Sequence, residues 1–409
     1  MATGLLLYFR PTLIARDNIM KTNLSALALG LTLAFGAGTS MAASSSIVID
    51  QPGSLNTATA QQENSHLGNN TATINQQGNR NTGTIGQDGN VSFANAVINE
   101  LPGANRNTSS ITQVDNGNGA QGHITNWGSR NTGSITQSNV GAPAGSDPGV
   151  YGLIYQNGNS NTGTISQQDG TKLVATINAN SYGGYGSDNN ASITQVGSYQ
   201  TATIEQNGAT NGNAIIDQSA QFNPSQGYNT ASITDTGDHD SSSITQVGSN
   251  LPKTATIDQS GARHTADIYQ RGSMETATVI QSGFGNTANV SQVGSYNDAN
   301  VTQSGALNTA HVDQSGAVLQ ANVIQSGSLE AAFITQGGKG HIANVTQSGF
   351  LELAVVNQSG NGAGIIQTAN VMQSGNLNAA YVSQSSTTVS GVATVTQSGN
   401  GNVATAIQM

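Results

Sequence analysis

The chain has 409 residues, of which only 8% are charged and 4% aromatic, with 11 Lys plus Arg against 21 Asp plus Glu, a net charge of −10 and no cysteine. An ordinary globular domain carries about 25% charged residues and more large apolar side chains, so a single large compact core is excluded, and so are disulfide staples. The acidic balance and the absence of a Lys/Arg cluster in the sequence argue against nucleic acid, which needs a cationic footprint.

In chain order, residues 1–19 read as an upstream start-site extension. Residues 20–42 read as a secretory signal: Met20 and Lys21 open it, an apolar run from Leu24 to Phe35 follows, and small residues lead to Ser40-Met41-Ala42-Ala43. The apolar run is too short to span a membrane, and no other long apolar segment follows. Cleavage removes three basic and one acidic residue, leaving 8 minus 20, or −12.

Residues 43–245 carry an irregular repeat. Thr71-Ala72-Thr73-Ile74-Asn75-Gln76-Gln77-Gly78 and Thr82-Gly83-Thr84-Ile85-Gly86-Gln87-Asp88-Gly89 are copies 11 residues apart. The step then lengthens, with Glu100, Gln113 and Asn126 in the glutamine column, and residues 168–190 are expected to break the pattern. Residues 246–409 are the regular part. Gln259, Gln270, Gln281, Gln292, Gln303, Gln314, Gln325, Gln336, Gln347 and Gln358 stand on a strict 11-residue step, each followed two residues later by glycine, among them the turn glycines Gly261, Gly272, Gly283, Gly294, Gly305, Gly316, Gly327, Gly349 and Gly360. A repeat of this length fixes the architecture.

One unit reads A-x-[VI]-x-Q-x-G plus four turn residues. In Asn286-Thr287-Ala288-Asn289-Val290-Ser291-Gln292, alternate residues share a face: Asn286, Ala288, Val290 and Gln292 suit a thin interior, and Thr287, Asn289 and Ser291 suit water. Two units make a 22-residue strand-turn-strand rung. The expected fold is an all-β, amyloid-forming parallel β-solenoid of at most about 16 rungs at ~4.8 Å spacing. Stacked glutamines satisfy one another, each amide donating to one neighbour and accepting from the other. Open strand edges recruit further strands unless capped, and an uncapped end facing a compatible first rung gives filaments.

Gln281-Ser282-Gly283-Phe284-Gly285-Asn286-Thr287-Ala288-Asn289-Val290-Ser291-Gln292 resembles the curlin repeat, Q-x-G-x-x-N-x-A-x-x-x-Q, as do the spans from Gln292 to Gln303 and from Gln303 to Gln314. The resemblance implies a secreted subunit of an extracellular functional amyloid at the bacterial cell surface. It implies self-association into a homopolymeric fibre for adhesion and biofilm matrix, with a nucleator, an outer-membrane secretion pore and chaperones as partners. It also implies that the Gln column and Asn286, Asn297 and Asn308 form the amyloid core, without catalysis or cofactor. The chain departs from the family in its length, its interrupted N-terminal half, and Leu319, Glu330, His341 and Glu352 in the asparagine column.

Glu330 and Glu352, 22 residues apart, are expected at a solvated turn, where like charges on adjacent rungs disfavour joint ionisation; mild acid is then expected to speed assembly. Gly183-Gly184-Tyr185-Gly186-Ser187-Asp188 fits one copy of a calcium-binding nonapeptide and reads as a plain loop, because that site needs tandem copies. Asp238-His239-Asp240 reads as a solvated turn, ahead of a metal ligand set. His264 and His341 fall in the asparagine column as packing residues. Arg80, Arg106, Arg130 and Arg263 read as solubilising turn residues, with binding of acidic matrix polymers as the second reading. Two rival functions are weighed. Outward threonine pairs such as Thr201/Thr203 suit an ice-binding solenoid or a surface adhesin, but Asn300, His311, Asn322 and Phe333 break the rank. A carbohydrate-active β-helix needs clustered carboxylates on one face, and the sequence has none.

Overall fold

The computed structural model describes residues 45–63, 69–89, 93–115, 119–141, 149–180, 188–219, 228–248, 251–360 and 365–409. The expected extension and signal peptide, the loop at 142–148 and the glycine-rich 181–187 lie outside the described residues. Thirty strands run from β1 (Ser46–Asp50) to β30 (Val403–Gln408). They alternate between two fifteen-stranded sheets, odd-numbered strands in one and even-numbered in the other. Every pairing is parallel. The chain is an all-β parallel solenoid with one odd and one even strand per turn, and the described residues contain no helix long and apolar enough to cross a membrane.

The alternation of each unit sets this arrangement. In β20 (Thr287–Ser295), Ala288, Val290 and Gln292 are buried while Thr287 and Asn289 are exposed. The inward set supplies three columns in each sheet: a small residue, a β-branched residue and an amide. The first two meet across the narrow interior as one core running from Ala58 to Val395. Each buried Ile or Val contributes roughly 1.5–3 kcal/mol. The interior is too thin for larger side chains. A Cβ added at Gly133 would lie 2.9 Å from Ile124 Cγ2 of the facing sheet. That is why Ala, Gly, Ile and Val suffice where a globular core would use Leu and Phe.

The register survives changes of rung length. In the regular half, Thr254 pairs with Thr276, a step of 22. Further upstream Gln121 pairs with Tyr151, a step of 30, yet Ile124 still meets Ile154. Most of the extra residues fall in turns, chiefly those leading from an even to an odd strand, so inward columns stay inward. Three successive such turns build a small second apolar cluster from Ala120, Val140, Val150 and Leu173. Residues 168–190 break the sequence pattern, as expected, but the strand described there continues the solenoid. β11 (Leu173–Asn180) pairs with β9 (Tyr151–Asn159) and with β13 (Gln200–Asn207), and Ala179 occupies the glutamine slot.

The turn glycines answer two demands. Gly294 has φ 139°, a region that L side chains rarely adopt. Gly327 has no such φ, but a Cβ there would sit 1.9 Å from the Gly349 carbonyl oxygen of the next rung. Gly327→Ala therefore forces two rungs apart and is expected to cost about 1–3 kcal/mol. Thr302→Ala, on an exposed strand position, is expected to stay within about 0.5 kcal/mol. Chemical denaturation of the two variants side by side checks the difference.

Candidate functional site: amide ladders and open edges

The even sheet carries fifteen stacked glutamines: Gln62, Gln87, Gln113, Gln137, Gln167, Gln195, Gln218, Gln246, Gln270, Gln292, Gln314, Gln336, Gln358, Gln384 and Gln408. Each donates from Nε2 to Oε1 of the next. Thirteen of these bonds measure 2.7–3.0 Å, and a shorter one from Gln384 to Gln408 ends the column. The second Nε2 hydrogen crosses the interior to the facing sheet. Gln292 donates to the Thr276 carbonyl at 2.9 Å, and Gln314 to that of Asp298 at 3.0 Å. Both amide hydrogens and the amide oxygen are thus used without water, which removes the penalty of a buried polar group.

The odd sheet is uneven. From Gln259 through Gln281, Gln303, Gln325, Gln347 and Gln373 to Gln397 its ladder is continuous at 2.7–2.9 Å. Below Gln259 the same column reads Asp235, Gln206, Ala179, Gln156, Asn126, Glu100 and Gln76. Glu100 is fully satisfied there by Ser109 Oγ at 2.5 Å, Asn107 Nδ2 at 3.0 Å and Asn126 Nδ2 at 3.1 Å. Ala179 has no amide, and Gln206 Oε1 is buried without a donor. Ala179→Gln places an amide between Gln156 and Gln206 and is expected to raise stability by about 1 kcal/mol. An unchanged or lower unfolding midpoint in a thermal melt would show that the gap has no room for it.

Asn286, Asn297 and Asn308 are buried, but they do not bond to one another as the glutamines do. Each staples a turn. Asn308 Oδ1 accepts the Glu330 amide of the next rung at 3.0 Å, and its Nδ2 donates to the Ser304 and Gly327 carbonyls at 3.0 and 3.1 Å. A different, half-buried ladder, Asn300 to Asn322 to Asn344 to Asn370, runs along the outer face of the odd sheet at 2.8–3.2 Å. The signal for it was the same register, three residues after the buried staple slots at Asn297, Leu319, His341 and Gln367.

The staple column corrects one expectation. Glu330 and Glu352 are not at a solvated turn; each is only 1% exposed. Their side chains turn inward and hold the turn by accepting its amides, where asparagine donates to its carbonyls. Glu330 accepts the Gly327 amide at 3.0 Å and that of Gly349 at 2.5 Å. Glu352 accepts the Ser348 amide at 3.1 Å and Asn378 Nδ2 at 3.2 Å. Burial raises both pKa values above the usual carboxylate range, and the Glu330 charge adds a smaller upward push on Glu352. Asp240 is likewise buried rather than solvated, at 1% exposed, and accepts the His264 amide at 2.7 Å. Its neighbours Asp238 and His239 are exposed and paired to each other at 2.9 Å. His264 and His341 are buried at 1% and 0% exposed. The described residues contain no group of three or more His, Asp or Glu arranged to hold a metal ion.

Other ionisable groups share these inward slots. Burial pushes Asp235 up to about 7, with Asp240 adding to the shift. Burial pushes Glu275 up to about 8, against the pull of Lys253 and the Gly294 amide. Lys253 is itself fully buried, with Nζ donating to the Gly248 carbonyl at 2.7 Å. These carboxyls hold protons in the fold that the unfolded chain has released, so their cost is full above the folded pKa and is relieved as pH falls through it. His123 and His341, lowered by burial, act in the opposite direction below their ordinary value of 6.5. The unfolding midpoint is therefore expected to be higher at pH 6.5 than at pH 8.5, and Glu275→Gln to shrink the difference. A melt series over that window with both proteins checks the sign.

The stack ends in open edges. Among the described residues, β1 and β2 (Thr57–Gln62) at one end, and β29 (Gly391–Asn400) and β30 at the other, each pair on one side only. The core columns end there half-covered, at Ile47 and Ile49 on one side and Ala404 and Ala406 on the other. The two ends differ: Gln62 presents an amide oxygen, whereas Gln397 and Gln408 present amide hydrogens.

The family model for the curlin associated repeat matches residues 254–283, 265–294, 275–305 and 294–327. No curated protein matches the chain. The matched segments lie where both ladders are continuous and the step is 22 residues. Residues 254–327 thus match the curlin associated repeat and are set in a parallel β-solenoid that fits a curlin-like structural protein.

Proposed function

We propose that the chain is exported through its signal at 20–42 and polymerises end to end into an extracellular amyloid fibre that supports adhesion and biofilm matrix. The fibre is a homopolymer, reached through a curli-type pore and nucleator. The observation that carries this reading is the even-sheet ladder. Fifteen glutamines pass one bond pattern from Gln62 to Gln408 and end in complementary groups: an acceptor at the first rung, donors at the last. Stacking the last rung of one copy on the first rung of another continues both the backbone pairing and the ladder. That is a heterologous contact that does not close, and so builds filaments.

On this reading the regular repeats at 246–409 drive growth, because both sheets offer an intact ladder there, while the irregular repeats at 43–245 carry the turn insertions. A second reading, ice binding, has in its favour four consecutive rungs of outward Thr or Ser pairs, Thr201/Thr203, Thr230/Ser232, Thr254/Thr256 and Thr276/Thr278. The asparagine ladder replaces them from Asn300 onward.

The test is fibre diffraction with dye-binding kinetics on the chain from Ala43. Reflections near ~4.7 and ~10 Å, with a lag abolished by preformed seeds, are expected. A soluble, seed-insensitive β-rich monomer that inhibits ice recrystallisation would replace the fibre reading with the second one.

A further inference from the structure

The residue that closes each odd-to-even turn varies along the stack, with three arginines in succession between Leu55 and Ser160, Asp188 two rungs beyond them, and leucines from Leu307 onward. It has a left-handed backbone throughout: φ is 59° at Arg80, 58° at Arg106 and 61° at Arg130, then 57° at Leu307, 58° at Leu329, 56° at Leu351 and 59° at Leu377. The three arginines occupy consecutive rungs. Arg80 N donates to Ser54 O at 2.9 Å, Arg106 N to Asn79 O at 3.0 Å, and Arg130 N to Asn105 O at 2.9 Å. The rung spacing sets their Cα atoms about 4.8 Å apart. In the sequence these residues are 26 and 24 apart and form no cluster; the winding of the chain makes one.

All three arginines are exposed, and no carboxylate among the described residues pairs with them. Asp88, Asp115 and Asp169 of the neighbouring rungs lie at the opposite, even-to-odd edge. A chain of net charge −10 thus shows a cationic strip along one edge. Neither conformation nor packing requires arginine in this slot, because the same slot and backbone accept Ser160, Asn211 and Leu307. The strip borders a shallow groove of about 680 Å³, where Asn79, Asn105 and Ser129 stand in a second column one residue before the arginines, with Asn159 on the following rung. Asn79 Nδ2 donates to Asn105 Oδ1 at 3.2 Å, which holds these two amides in line.

We propose that this edge binds a linear acidic polysaccharide lying along the stack, with successive uronate carboxylates on Arg80, Arg106 and Arg130 and sugar hydroxyls on the second column. A guanidinium fork matches a carboxylate with two parallel hydrogen bonds. A polymer with one carboxylate per sugar offers its charges at intervals comparable to the rung spacing. Duplex DNA carries a denser charge, about one per 1.7 Å of axis. Single-stranded nucleic acid is held by stacking on aromatic rings, and none lines this groove. The inference concerns the folded chain and does not depend on fibre growth.

The experiment uses the full chain from Ala43 and immobilised polygalacturonate, with neutral dextran and duplex DNA as competitors, from low to physiological salt. Binding is expected to weaken steeply with salt, to be displaced by free polygalacturonate but not by dextran, and to fall at least tenfold in R80N/R106N/R130N. Asparagine suits the left-handed slot, so the sheet signal in circular dichroism should be unchanged. If that variant loses its sheet signal, R80K/R106K/R130K decides, because it keeps the charge and removes the fork; a severalfold loss supports the proposal. Undiminished binding by the folded asparagine or lysine variant, or displacement by dextran, overturns it. Tighter arginine-dependent binding of DNA than of polygalacturonate also overturns it and makes the edge a nucleic-acid site.

Discussion

A primary amide can accept on one side and donate on the other along a single line, and a stack of parallel strands supplies such a line once per rung. The whole solenoid depends on that match. Glutamine at a random buried position leaves polar atoms without partners, at a cost of about 1–3 kcal/mol. At one register repeated through the even sheet, each glutamine satisfies the next and also ties down a carbonyl of the facing sheet. The core can then be thin and built from Ala, Gly, Ile and Val, because the ladders share with it the task of holding the sheets together. Turn length becomes free to vary, since register is enforced inside the rung and not by the turn.

The two sheets use this principle unequally. The even sheet keeps its ladder throughout, while the odd sheet departs from it between Glu100 and Asp235. Where it departs, Glu100 recruits local donors and Asp235 accepts the Gly237 amide while burial raises its pKa, and Ala179 leaves the slot without a polar group. The staple column follows the same logic. Glu330 and Glu352 hold the same turns with the opposite polarity, accepting turn amides where asparagine donates to turn carbonyls, and the desolvation they suffer is the counterweight.

Much of this was legible from spacing alone: the 22-residue rung, the inward amide and the glycine turn of the regular half all follow from an 11-residue step. The irregular half was less legible. β11 was hidden because Ala179 stands where a glutamine would mark the strand, and β14 (Asn213–Ser219) because its Gln218 falls off the 11-residue step. The burial of Glu330 and Glu352 was misread because a carboxylate pair suggests water until the inward turn amides are seen. The arginine strip was invisible as a cluster because its members meet only through the winding of the chain. Repeat spacing specifies register, but side-chain direction at a turn depends on which backbone amides lack partners, and that emerges only when rungs are stacked.

The common orientation of the ladder bonds has an electrical consequence. Every glutamine amide in the even sheet points its hydrogens toward the Gln408 end and its oxygen toward the Gln62 end. An amide carries a dipole of about 3.5 D, and aligned amides add, whereas the strand backbones contribute little because their dipoles alternate. The column therefore gives the rod a permanent moment, positive at the last rung and negative at the first, that grows with each rung added. Two such rods attract head to tail along one axis and repel when they lie side by side in the same direction, so the polarity of a single side-chain column orients its neighbours before any strand edges meet.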